Sequence, residues 1–128
     1  MKSEEAKLFR LIDANLNRLR EGVRVVEDIL RYIDDNADLA KRLKEVRHMA
    51  RFEDPRLLEC RDIEGDVLKR STSSEMARTD ITSLKRANIK RAQESARVLE
   101  EALKLVDTDA SETFKKIRYE LYNIEKAL

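Results

Sequence analysis

The chain carries one 24-residue pattern twice, and no other feature of the sequence constrains its fold as much. Asp13 to Asn36, DANLNRLREGVRVVEDILRYIDDN, returns 73 residues later, from Arg86, as RANIKRAQESARVLEEALKLVDTD, with nine of 24 positions identical. These are Ala14/Ala87, Asn15/Asn88, Arg18/Arg91, Glu21/Glu94, Arg24/Arg97, Val25/Val98, Glu27/Glu100, Leu30/Leu103 and Asp34/Asp107. Apolar positions in both copies recur at the helical period. A unit this long, present only twice, predicts a duplicated helical hairpin and not a solenoid array.

The turn chemistry excludes most alternatives. Two Gly and one Pro in 128 residues cannot supply the tight turns of a β fold. The expectation is an all-α protein: a four-helix antiparallel bundle with an approximate internal two-fold, forming a single domain over residues 1–128. Repeat 1 covers about 3–52, an irregular loop about 53–78, and repeat 2 about 79–128.

Local signals set the expected boundaries. Ser3 caps a first helix running to Asp34 or Asp35, with a stripe that includes Leu8, Leu11, Ile12, Leu19, Val23, Val26, Leu30 and Ile33. Asn15 falls inside that stripe, Gly22 near its edge and Arg18 at its margin, while Arg24 and Glu27 project away from it. Asn36 caps a helix over about 37–52, and Asp54-Pro55 restarts the chain through Leu57 and Leu58. Residues 60–78 read as irregular, with a capping box at Thr72-Ser73-Ser74-Glu75. The third helix, about 79–106, has a stripe of small residues that predicts close helix approach and a central position. Asp109 and Glu112 are expected to cap and charge the last helix, whose seam is Phe114, Ile117, Leu121, Ile124 and Leu128.

Charge and motif content bound the function. The net charge is +1, which argues against nucleic acid as a partner, yet 16 of the 27 basic residues are Arg. A lone Cys60 excludes an intramolecular disulfide and a Cys-rich metal site. No apolar run approaches the roughly 18 residues of a membrane span, and MKSEEAK lacks a signal-peptide core, so no membrane partner and a cytoplasmic location are expected. The chain has no GxxxxGK, GxGxxG or HExxH. Any nucleotide would be held by Arg, helix N-termini and a metal.

Several groups remain as candidates. Asn15 and Asn88 either fix helix register or face a shared polar pocket with Arg18 and Arg91 at its rim. The ladder Arg18, Glu21, Arg24, Glu27 and its copy Arg91, Glu94, Arg97, Glu100 steps by three and so wraps around each helix. Only its Asn/Arg end, with Glu21 and Glu94, reaches the stripe. Asp62, Glu64 and Asp66, spaced by two around Gly65, suit a hard cation bound through oxygen. Ser71 to Ser74 stand at a helix start that can receive phosphate. His48 is the only histidine and has no triad or zinc partners.

The runs Asp13-Ala14-Asn15-Leu16-Asn17-Arg18, Arg20-Glu21-Gly22 and Arg24-Val25-Val26-Glu27-Asp28 together resemble a known pattern. Arg47-His48, Arg61-Asp62, Gly65-Asp66-Val67, Glu75 with Arg78, Arg86-Ala87-Asn88 through Glu100-Glu101, and Arg118-Tyr119 with Tyr122 and Glu125 extend it over nearly the whole chain. The pattern is similar to the helical domain at the N-terminus of some bacterial thiamine-phosphate synthases, sometimes called the second type of hydroxymethylpyrimidine-phosphate kinase. The resemblance implies phosphorylation of hydroxymethylpyrimidine phosphate to its diphosphate by a stand-alone helical unit, without the barrel that performs the synthase reaction.

The residue chemistry is compatible with that activity, using ATP and Mg²⁺. Arg18, Arg61 and Arg91 are the candidate catalytic groups. Asn15, Asn88, Arg47, His48 and Arg78 are candidates for substrate binding, and Asp62, Asp66 and Glu64 for the metal. The competing expectation is a non-catalytic helical module that binds a pyrimidine phosphate or a partner enzyme of thiamine biosynthesis. Tyr119 and Tyr122 beside the last seam leave room for a homodimer.

Overall fold

Ser3 opens the first helix as expected: its hydroxyl accepts from the Ala6 amide at 3.1 Å, and α1 runs over Glu4–Tyr32. The computed structural model describes residues 3–128, with the Ser74 side chain outside the described part. Helix α1 stops short of Asp34 because Asp35 turns into the left-handed region at φ 50°. Asn36 then caps α2, Ala37–Met49, accepting from Leu39 at 3.1 Å. Asp54 and Pro55 start α3, Pro55–Glu59, and the Thr72 hydroxyl and Glu75 bracket the single turn α4, Ser73–Met76. The Ser74 side chain, expected near this helix start, falls outside the description.

Two caps differ from expectation. Helix α5, Ile81–Leu103, is capped by Asp80 in a reciprocal box with Ser83, so it begins after Thr79 and ends before Val106. Helix α6, Thr108–Ala127, is capped by Asp107, which accepts from Ala110 at 3.1 Å; Asp109 lies in its first turn.

The four long helices close a ring in which α1 packs on α2 and α5, α5 on α6, and α6 on α2, while α3 leans on α1. Helices α1 and α5 are antiparallel: Gly22 faces Asn88 and Ala92, and Asp34 beyond the other end of α1 pairs with Lys85 near the start of α5. The small-residue stripe does bring these helices together. A Cβ on Gly22 would sit 3.0 Å from the Asn88 carbonyl, so only hydrogen fits there without a shift. Helix α5 is not central, however; it has two neighbours, and α1 is the helix that reaches three.

Each bundle helix faces two neighbours, so its buried sector is wider than one stripe. Leu11 and Ile33, assigned to the stripe, are 42% and 55% exposed. Glu27, assigned away from it, is 3% exposed, because it meets Arg47 of α2 through contacts of 2.8 and 3.2 Å. Glu100 does the same with Arg118 of α6, at 3.1 and 2.9 Å. Glu27 and Glu100 are 73 positions apart, so each hairpin is latched by one half-buried arginine on an equivalent buried carboxylate. Hydrogen bonding by Glu27 holds the Arg47 guanidinium above its ordinary pKa; Tyr122 and Glu100 do the same for Arg118. Tyr119 and Tyr122 pack edge-on beside Arg118, with ring centroids 6.2 Å apart. Among the described residues no helix is long and apolar enough to cross a membrane.

Candidate functional site

The close approach of α1 and α5 leaves an open cavity of about 580 Å³ along their seam. Five positions of α1 line it, and each has its counterpart 73 residues on: Asn15 with Asn88, Arg18 with Arg91, Glu21 with Glu94, Gly22 with Ser95, and Val25 with Val98. Leu68 and Glu75, from the segment between the halves, complete the wall. The backbone reason is the seam itself. Gly22, Ala92 and Ala96 keep the axes close, so the next positions outward on each helix can only diverge into solvent.

The polar side chains of this cavity are unequally committed. The Asn15 and Asn88 amide nitrogens donate back to the Leu11 and Leu84 carbonyls, at 3.0 and 2.9 Å. One of the two amide N–H donors of each side chain is thereby used on its own helix, leaving the second N–H and the carbonyl oxygen for a ligand. Asn15 is buried and Asn88 half-buried, which joins the two expectations for this pair: each is tied to helix backbone and each also lines the pocket. Ser95 is 5% exposed, its hydroxyl has no hydrogen-bond partner among the described residues, and it lines the cavity. Arg18, Arg91, Glu21 and Glu94 are exposed and make no ion pair or hydrogen bond among the described residues. Four charged groups thus border one cavity without internal partners.

The rest of the ladder goes elsewhere. Arg24 and Arg97 pair at i+4 with Asp28 and Glu101 on the solvent face, at 3.4 and 3.2 Å. Glu27 and Glu100 are the hairpin latches.

A second cavity, of about 610 Å³, lies on the other flank of α1 and shares Arg18 and Glu21 with the first. Lys7, Arg10, Asp13, Ala14 and Asn17 line its helical side, and Arg61, Asp62, Ile63 and Asp66 its loop side. Two arginines tie that loop down. Arg61 grips Asp13 at 2.7 and 2.8 Å, and Arg10 donates to the Asp62 carbonyl at 2.9 Å. Hydrogen bonding to Asp13 holds the Arg61 guanidinium above its usual pKa.

The loop acids mainly shape the loop. The Asp62 carboxylate accepts from the Gly65 amide and Asp66 from Leu68, both at 2.9 Å. A side chain at residue 65 would place its Cβ 2.5 Å from the Asp62 carboxylate, which accounts for the glycine. Among the described residues no three His, Cys, Asp or Glu side chains converge as a preformed metal cage.

Of the expected site residues, Asn15, Asn88, Arg18 and Arg91 come together in the first cavity, and Arg61, Asp62 and Asp66 line the second beside Arg18. Glu64 and Arg78 border neither of these two cavities. Arg47 is engaged by Glu27 in the α1–α2 contact and also lies outside both, which follows from the wider buried sector of α1. His48 is exposed on α2 and likewise lines neither. Sequence reasoning missed Ser95, Lys7, Arg10 and Glu75. Ser95 was accessible through the 73-residue offset from Gly22. Glu75 was read as half of a capping box and as part of the family pattern, not as a site residue, and Lys7 and Arg10 carry no signal beyond their charge.

Comparison with known proteins was then informative. A sequence model of the ThiD2 family matches residues 10–127. The chain is 39% identical over 128 residues to a thiamine-phosphate synthase of Thermosynechococcus vestitus, an alignment covering 98% of this chain and 36% of the relative. It is 40% identical over 123 residues to a thiamine-phosphate synthase of Synechocystis, covering 94% of this chain and 36% of that protein. A Rhodopirellula baltica protein of the same name is 36% identical over 126 residues, covering 94% and 34%. The chain therefore spans about a third of the length of these relatives. No solved structure matches it.

Proposed function

The chain belongs to the ThiD2 family, and on that premise we propose that it is a small-molecule phosphotransferase of thiamine biosynthesis. It would convert hydroxymethylpyrimidine phosphate and ATP into the pyrimidine diphosphate and ADP. The observation that carries this reading is the pair of adjoining cavities that share Arg18 and Glu21, one of them bordered by two arginines without protein partners. Two substrates need two compartments with a cationic group between them, and Arg18 occupies that position.

The chemistry asks for no more than these residues offer. The acceptor is a phosphate monoester whose second pKa is about 6, so near neutral pH its attacking oxygen is largely ionised and needs no general base. That oxygen forms the new P–O bond to the γ-phosphorus while the bond to the β-phosphate oxygen of ATP breaks, and the leaving electron pair stays on ADP. Catalysis then consists of holding two mutually repelling polyanions in line and neutralising charge as it spreads over the transferred group. Arg18 and Arg91 serve this as paired cationic donors, with the Asn15 and Asn88 amide oxygens accepting from N–H groups of the pyrimidine, or their remaining amide N–H orienting its phosphate. Arg61 holds the loop wall through Asp13 and presents what remains of its fork to the second cavity. Magnesium, where bound, supplies further charge neutralisation on phosphate oxygens. Carboxylates bordering the cavities are the groups that fit it.

The test is phosphorus NMR of the chain with ATP, magnesium and hydroxymethylpyrimidine phosphate. Stoichiometric appearance of the pyrimidine diphosphate is expected, with Arg18→Ala reducing its rate at least about 100-fold while helicity stays intact. Thermal stabilisation by the pyrimidine phosphate with no turnover would overturn the enzymatic reading in favour of a binding module.

A further inference from the structure

We propose that the α1–α5 cavity is built for a magnesium-bound diphosphate group lying across its seam. Arg18 takes one phosphoryl, Arg91 takes the other, and Glu21 and Glu94 hold the metal. The proposal rests on the phosphotransfer reading for the organic groups at either end, and on the cavity itself for everything between them.

The first argument is the matching of the walls. Arg18 and Arg91 sit 73 positions apart on antiparallel helices and line one cavity, as do Glu21 and Glu94. A cradle with the same donor on either side is matched by a ligand with the same acceptor on either side. A P–O–P unit has that form, whereas a single phosphate would leave one guanidinium without its anion.

The second argument is the alternation of charge. A site for a bare polyanion has no use for the carboxylates of Glu21, Glu94 and Glu75, all of which line this cavity. A site for a metal-bound one does, because magnesium keeps most of its water and is held by one or two carboxylates together with phosphate oxygens. Glu21 and Glu94 have no internal partners, so they can take that role without breaking an ion pair. Loop residues Asp62 and Asp66 each give one carboxylate oxygen to the Gly65 and Leu68 amides and do not line this cavity.

The third argument is independent of charge. Ser95, 5% exposed, turns a hydroxyl with no protein partner onto the cavity wall. The hydroxyl opens onto the cavity and is not sealed away as an unsatisfied buried group, so it stands available to a ligand oxygen. A phosphoryl oxygen drawn toward Arg91, one turn away on the same helix, is a suitable acceptor.

Calorimetric titration of the intact chain with inorganic pyrophosphate and with orthophosphate, each in magnesium and in EDTA, tests the proposal. Pyrophosphate is expected to bind at least about tenfold more tightly than orthophosphate, and at least about tenfold more tightly in magnesium than in EDTA. Arg18→Gln and Arg91→Gln should weaken it by similar factors, and Glu21→Gln with Glu94→Gln should abolish the magnesium dependence. Manganese paramagnetic resonance with pyrophosphate gives a second readout, losing the bound signal in the Glu variants; circular dichroism confirms that they fold. Equal affinity for the two anions, no effect of magnesium, or loss of the magnesium effect in Asp66→Asn but not in the Glu variants would overturn it. Failure of turnover with pyrophosphate binding intact would sink the kinase reading alone, and turnover without magnesium-dependent pyrophosphate binding would sink this proposal alone.

Discussion

Replacing Arg47 by Met separates a structural arginine from a ligand-binding one. The Arg47 side chain is 16% exposed and its partner Glu27 only 4%, with a two-point contact between α2 and α1. Removing the guanidinium strands a carboxylate almost wholly out of water, and breaking such a pair from one side costs about 3–5 kcal/mol. The slight exposure of Arg47 puts the expectation near the lower figure, about 3 kcal/mol. Unfolding entropy of about 2.1 cal/mol/K per residue gives roughly 0.27 kcal/mol/K for a chain of this size, so the midpoint should fall by roughly 11 °C. Urea and thermal unfolding followed at 222 nm measure both quantities. Glu27→Leu added to Arg47→Met should restore most of the loss, because the stranded charge and not the missing attraction carries the cost. Turnover of Arg47→Met well below its midpoint should stay within about threefold of the parent. A stability loss under about 1 kcal/mol, or a collapse of activity in a stable variant, would refute the latch and return Arg47 to the ligand.

Further outcomes follow from the same geometry. Arg18→Ala and Arg91→Ala remove exposed side chains without internal partners, so each should shift the unfolding midpoint by less than about 2 °C. Arg18→Ala should also weaken nucleotide binding, measured by titration, more than Arg91→Ala does, because Arg18 alone of the two borders the second cavity as well. Gly65→Ala brings a Cβ to 2.5 Å from the Asp62 carboxylate. It should raise the KM for nucleotide several-fold, seen in steady-state kinetics, with little change in the unfolding midpoint. Arg56 hydrogen bonds hold the Asp54 carboxyl below its ordinary range, and Lys104 does the same for Glu101. Burial pushes Glu125 up, but Gln93 and Lys90 outweigh it and leave it low. A depressed carboxylate contributes stability that is complete above its unfolded pKa, near 4, and lost as pH falls through the folded value. The unfolding midpoint should therefore drop between about pH 5 and 3, and less steeply in the Asp54→Asn, Glu101→Gln, Glu125→Gln triple variant.

The helices were legible because their signals are local. Ser3, Asn36 and Asp54-Pro55 each cap where the sequence places them. The last two caps slipped to Asp80 and Asp107 because several polar residues cluster at each start and the bundle chooses among them. The cavity pairing of Asn15/Arg18 with Asn88/Arg91 was legible from the 73-residue offset together with the apolar stripe, since equivalent positions at the stripe of two helices packed on each other meet at one seam, whereas Arg24/Arg97 and Glu27/Glu100, off the stripe, do not. What a single helix cannot report is its second neighbour. Glu27 and Glu100 project away from the main stripe, yet they are buried under arginines that arrive from α2 and α6. The loop was harder still. Its acids suggest a cation, and the spacing alone does not report that one oxygen of Asp62 and one of Asp66 also accept from the Gly65 and Leu68 amides.

The matched cradle raises a chemical difficulty that the intervening segment resolves. Phosphoryl transfer is directional: in the diphosphate that forms, one phosphoryl group belongs to the acceptor and the other has come from the nucleotide. The matched Asn, Arg, Glu and Val pairs of the cavity cannot tell them apart; its unmatched lining is Ser95 opposite Gly22, with Leu68 and Glu75. What lies outside the repeated positions is unequal. Arg61, Asp62, Ile63 and Asp66 build a second compartment against α1 alone, and Arg10 and Arg61 hold it there through Asp62 and Asp13. Helix α5 contributes nothing to the lining of that compartment. On the phosphotransfer reading the nucleotide is therefore assigned to the Arg18 side and the pyrimidine to the Arg91 side, and the assignment is made by the loop. The repeated helices supply affinity for a diphosphate in either sense, and the unrepeated segment supplies the sense in which it is made.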